Sequence, residues 1–224
     1  MVKWFELLHI AESVHLGEED DAIIWKWEAK GTYSVSSLYS VINFRGVIPV
    51  NIPVVWKLSV PPRLHVFMWL LCNNKLLTRD NLSKRQHIDD VTCVFCSDCE
   101  SFHHLFYDCI VARNLWQKIC EITKVSEVNN MLSVSRWWIS DKNHKFLNII
   151  HTAALWSLWR MRNDICFNRT VSSGMQVLYV RVAYTLAKWR LLCPEGAKGE
   201  LDAAVRNLDA LARAPPMLMW PEPG

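Results

Sequence analysis

The chain has 224 residues, 51% of them hydrophobic, enough to bury a sizeable core and to exclude a disordered chain. It shows no secretory leader and no uncharged apolar run of about 18 residues, which argues against secretion and membrane insertion and for an intracellular setting in which cysteines stay reduced. The net charge of +3 hides segregation: residues 57–87 carry six basic side chains against Asp80 alone, residues 88–109 carry five acidic ones and no basic one, and residues 141–190 return to eight basic against two acidic.

In chain order, Lys3–His9 is short and apolar-periodic, and the acidic run Glu18-Glu19-Asp20-Asp21 behind it reads as solvated loop. Ile23–Trp27 and Thr32–Val35 are β-rich and flank the turn Ala29-Lys30-Gly31, which predicts a small hairpin, with a helix over Ser37–Phe44 after it. Pro49 and Pro53 mark a linker. Pro61-Pro62 suits the first turn of a helix in which Leu64, Phe67, Met68 and Leu71 recur at helical spacing, and Asn73-Asn74 ends it. Thr78 is placed to cap a short basic helix from Arg79 to Gln86. Beyond Cys109, the residues Ala112, Leu115, Trp116, Ile119 and Cys120 share a helical face. Lys145–Phe167 is apolar on most faces and predicts a buried helix, in which Trp156 and Trp159 join Trp69 and Trp116 as core residues. Helices over Met175–Leu192 and Glu200–Ala212 complete the chain before Pro215-Pro216. The sum is a mainly α fold: a helical domain with a small N-terminal β-hairpin and a metal-binding loop.

That loop is the most specific feature. Cys93-Val94-Phe95-Cys96 sets two thiolates on one turn, and His104 and Cys109 supply a second pair after a loop long enough to fold back. Four such ligands make a Cys3His shell for Zn2+, closed to water and substrate, whose role is to add folding free energy. Cys99 offers an alternative, since Cys96, Cys99, His104 and Cys109 have the spacing of a zinc knuckle. The scattered Cys72, Cys120, Cys166 and Cys193 read as core.

Several segments in order resemble the zinc-binding region downstream of the polymerase in plant LINE-type, non-LTR retrotransposon reverse transcriptases. They are Trp25 with Gly31-Thr32-Tyr33-Ser34-Val35-Ser36-Ser37-Leu38-Tyr39, then Trp56-Lys57, and Pro61-Pro62-Arg63-Leu64-His65-Val66-Phe67-Met68-Trp69. Leu76–Leu82, the Cys93/Cys96 pair, His104-Leu105-Phe106-Tyr107-Asp108-Cys109 and Trp116 continue the series. Trp156-x2-Trp159-x2-Arg162-Asn163 resembles a segment that follows in many relatives, and Trp220–Gly224 the lead-in to an RNase H domain. The resemblance implies an N-terminal segment over 1–22, a zinc-binding domain over 23–120, a helical region over 121–192, and a last helix with a linker toward an RNase H domain over 193–224.

No pair of carboxylate motifs for two-metal phosphoryl transfer occurs, Asp89-Asp90 reading as solvated loop, and no phosphate-cradling glycine loop is present. The expectation is a non-catalytic zinc module with no small-molecule substrate and no membrane contact, the nucleus being a candidate compartment. RNA or DNA is the expected partner, met by Arg63, His65, Lys75, Arg79, Lys84 and Arg85. The alternative is a zinc-stabilised scaffold or protein-interaction module without nucleic-acid binding, which the absence of lysine and arginine over 94–108 favours.

Overall fold

The computed structural model describes residues 2–13, 22–44, 54–138, 141–167 and 174–215, which are mainly helical. The acidic run at 18–21, the linker prolines 49 and 53 and the closing segment 220–224 lie outside the described residues. The chain divides into two compact units, Met1–Ile48 and Pro49–Gly224.

In the first unit, α1 (Val2–Ser13) leaves Trp4 and Phe5 exposed, and α2 spans Val35–Phe44. The expected hairpin between them is not formed: residues 22–34 contain a turn and no strand. The Trp25 N–H donates to the Gly31 carbonyl at 2.8 Å and the Gly31 N–H to the Glu28 carbonyl at 2.9 Å, closing a compact loop in place of a ladder. Ile23 and Ile24 are 102% and 72% exposed, so the alternating pattern has no apolar layer to cover, and a two-stranded ribbon without one is marginal. Gly31 takes φ +66°, and a Cβ there would meet the Ile24 side chain at 3.0 Å. Ser34 starts α2: its hydroxyl accepts from the Ser37 N–H at 3.1 Å while the Ser37 hydroxyl accepts from the Ser34 N–H at 3.3 Å. The Gly-Thr-Tyr-Ser-Val-Ser-Ser string is thus a turn followed by a reciprocal helix cap.

The second unit runs α3 (Pro62–Cys72), α4 (Arg79–Ser83), a π turn (His104–Asp108), α5 (Ile110–Thr123), α6 (Met131–Ser135), α7 (Asp141–Cys166), α8 (Met175–Trp189) and α9 (Glu195–Arg213). Pro62 opens α3 at its first position, where a missing N–H costs no helical bond, and Asn74 ends it at φ +50°. The α9 helix begins five residues before the apolar pattern does, because Gly196 and Gly199 dilute the signal in its first turns. A short 3-10 turn joins α8 to α9 as an antiparallel pair, with Gln176 reaching the Ala214 carbonyl at one end and Arg190 paired to Asp202 at 2.8 Å at the other. Buried apolar faces of α3, α5, α7, α8 and α9 make one core, and among the described residues no helix is long and apolar enough to cross a membrane.

One buried group makes this core sensitive to acid. His151 of α7 is fully buried, edge-on to Trp116 at 5.6 Å, and neither ring nitrogen has a hydrogen-bond partner among the described residues. Burial, helped by the charge of Arg136, pulls its pKa down to about 4. The folded protein therefore resists a proton that the unfolded chain takes up near pH 6.5. Stability should be level above that pH, decline below it and flatten near pH 4, a loss of roughly 3 kcal/mol. In urea unfolding at pH 7.5 and pH 5, His151→Phe should lose less stability between the two than the parent protein; equal losses would assign the acid sensitivity elsewhere.

Candidate metal centre

The Cys93, Cys96 and Cys109 sulfurs and a ring nitrogen of His104 all lie within 4.8 Å of one another. Cys109 Sγ stands 4.0 Å from Cys93 Sγ and 3.8 Å from Cys96 Sγ, and Cys96 Sγ is 3.1 Å from His104 Nε2. A tetrahedral shell with zinc–sulfur bonds of about 2.3 Å has sulfur–sulfur edges of about 3.8 Å, so the donor set fits zinc. The Cys109 sulfur and burial push the Cys93 thiol well above its ordinary range, a crowding that a divalent cation reverses by turning the thiols into thiolates. Cys99 is exposed and stands outside the group; its backbone instead makes an isolated bridge to Thr92.

Local backbone explains the convergence. The Cys93 N–H donates to the Asp98 carbonyl at 2.7 Å, which closes the first loop, and the Phe95 N–H donates to Cys93 Sγ at 3.4 Å. His104 and Cys109 are five residues apart, which on an α-helix would put them about 140° apart. The π turn removes this mismatch, closing the Cys109 N–H onto the His104 carbonyl at 2.8 Å. Cys109 then stands at the N-cap position of α5. Trp116, nearly two turns into α5, donates its indole N–H to the Phe106 carbonyl at 2.7 Å and stacks on Tyr107 at 6.3 Å, fixing the π turn from the side.

The loop is also tied to α7 by a pair that sequence reading missed. Glu100 is 1% exposed, and its carboxylate accepts from Arg162 Nη2 at 2.7 Å and Arg162 Nε at 3.1 Å. The same carboxylate accepts from the Arg79 N–H at 2.8 Å, holding the start of α4. Arg162 lies over the Trp159 ring at 5.4 Å, Trp159 stacks on Phe106 at 6.4 Å, and Trp156 meets Phe67 of α3 edge-on at 5.0 Å. Spaced at three residues, Trp156, Trp159 and Arg162 form one stripe of α7 that covers α3, the π turn and the metal loop in turn. The segment was visible in the sequence; its contacts were not, because nothing marks Glu100 among the acidic residues of the loop.

The six cations expected to meet a polyanion divide. Arg79 is ion-paired with Asp90, and the carboxyl of Asp90 is held well below the usual range by hydrogen bonds from Thr92 and then by Arg79. His65 is half-buried with Nε2 3.0 Å from the Leu58 carbonyl, and the Lys84 ammonium donates to Asn81 at 2.9 Å. Arg63, Lys75 and Arg85 are exposed.

Residues 33–116 match the family described as zinc-binding in reverse transcriptase. Over 104 residues, 44% of this chain, the sequence is 28% identical to a protein of Arabidopsis thaliana named "Putative ribonuclease H protein", of whose length the match covers 17%. No solved structure matches the chain. The Cys3His geometry, the motif order and the family match converge: residues 33–116 are similar to the zinc-binding region of reverse transcriptases, and the chain is similar over part of its length to a plant protein.

Proposed function

We propose that Cys93, Cys96, His104 and Cys109 ligate one structural zinc ion, and that the chain is a non-catalytic module that binds RNA or DNA through exposed cations beside the zinc loop. The convergence of four donors within 4.8 Å carries the first part. Support for the second is the exposed pair Lys75 and Arg85, with the exposed Lys84 beside them although its ammonium also reaches Asn81 and Asp80, around a loop tied down by Glu100. Arg79 and His65 belong to the supporting framework, since their side chains are already engaged. The scaffold reading has its own support in the same Glu100–Arg162 pair, which spends the loop's one buried charge on holding helices together.

A binding titration with labelled single-stranded RNA and duplex DNA at graded salt separates the two. Nucleic-acid binding predicts an affinity that falls with salt by about 0.7 in log–log slope per phosphate met on a single strand, and a weaker complex for Lys84→Glu/Arg85→Glu. A wild-type protein that binds neither probe would leave the scaffold reading standing.

A further inference from the structure

Away from the zinc loop, α3, α7 and α8 enclose a cleft of about 260 Å3. Four cations line it, Arg63, Arg160, Arg181 and Lys188, against a single acid, Asp164. Arg181 neutralises Asp164 at 2.5 Å, which leaves Arg63, Arg160 and Lys188 without an ion pair among the described residues, all three exposed. Ser157 also lines the cleft; it is 2% exposed, and its hydroxyl has no hydrogen-bond partner among the described residues. A buried hydroxyl left unpaired is costly, and beside three uncompensated cations it is the donor that an anion's oxygen would satisfy.

The shape narrows the ligand. The cleft falls below the roughly 300–1,000 Å3 of pockets that enclose drug-sized molecules, so it holds a group of a ligand rather than a whole one. Tyr184 on its rim is 60% exposed and carries the Lys188 ammonium 4.3 Å from its ring centroid, a pairing of ring and cation suited to a base beside its phosphate. We propose that this cleft holds a backbone phosphate of a single nucleic-acid strand, with Arg63, Arg160 and Lys188 meeting the charge, Ser157 donating to a phosphate oxygen and Tyr184 offering a face to a base. The site rests on the nucleic-acid reading above but moves its centre from residues 75–85 to α7 and α8, and Arg63 to the rim of the cleft.

The test uses the full chain, labelled single-stranded RNA and DNA, and inorganic phosphate as competitor. Arg160→Ala/Lys188→Ala changes two exposed side chains, so its unfolding midpoint and zinc content should match wild type. It should weaken strand binding at least ten-fold and lower the salt slope by about 0.7, one phosphate contact's worth, and Ser157→Ala should weaken binding several-fold on its own. Unchanged binding in both variants, with loss in Lys84→Glu/Arg85→Glu, overturns the cleft and keeps the nucleic-acid reading. No strand binding by wild type overturns both. Competition by inorganic phosphate at concentrations too low to act through ionic strength would mark a free-phosphate site and overturn the assignment to a strand.

Discussion

Cys109→Ser should lose its zinc and, with it, the fixed packing of the region around the loop. Cys109 stands next to two of the other three donors, and it is also the residue where the π turn gives way to α5. Structural zinc sites contribute about 10–16 kcal/mol of apparent binding free energy, comparable to or larger than the roughly 5–15 kcal/mol that holds a domain folded. Metal analysis should therefore fall from one equivalent to a small fraction. Near-ultraviolet circular dichroism should lose its aromatic signal, because Tyr107 and Trp116 are stacked against the turn that Cys109 closes. A strong chelator should do the same to the unaltered protein. Cys99→Ser is the control: its side chain stands outside the group, so zinc and spectrum should persist. Loss of zinc in Cys99→Ser with retention in Cys93→Ser would replace the ligand set with the knuckle-spaced one.

Glu100→Gln and Arg162→Met should each destabilise the protein by about 3–5 kcal/mol, because each leaves the other member of a buried pair without its counter-charge. For a unit of this size that is a fall in the unfolding midpoint of roughly 10 °C. The double variant Glu100→Leu/Arg162→Met should be markedly less damaged than the sum of the single changes, since two apolar groups replace the pair and the partners lost are the acceptor of the Arg79 N–H and the donor to the part-buried Asn163. Thermal unfolding of the three variants at one pH and one zinc concentration gives the comparison. Additive losses would mean that the two residues act independently and that the loop does not depend on α7.

Helices were legible wherever apolar residues kept a helical period over several turns, as in α3, α5 and α7, and where a proline or asparagine pair marked an end. The four converging donors were legible because zinc demands particular residue types at short spacing. The hairpin was misread because β-rich composition over 23–35 says nothing about whether an apolar layer exists to cover it, and Ile23 and Ile24 have none. The basic stretch was read by charge alone, yet Arg79 pairs with Asp90 eleven positions on and His65 turns to a backbone carbonyl. Local sequence does not encode such partners. The Glu100–Arg162 pair spans 62 positions, a separation at which periodicity and spacing carry no information.

The π turn has a consequence for how this loop can vary among related chains. Elsewhere a surface loop absorbs an inserted or deleted residue at little cost. Between His104 and Cys109 the wide turn already accommodates one residue more than an α-helical turn holds, and the Trp116 indole is fastened to a carbonyl inside it. Deleting one residue would relax the segment to an ordinary turn but swing Trp116 off Phe106; inserting one would rotate His104 away from the sulfurs. The length of this stretch should therefore be held fixed by geometry while the identity of its exposed residues drifts.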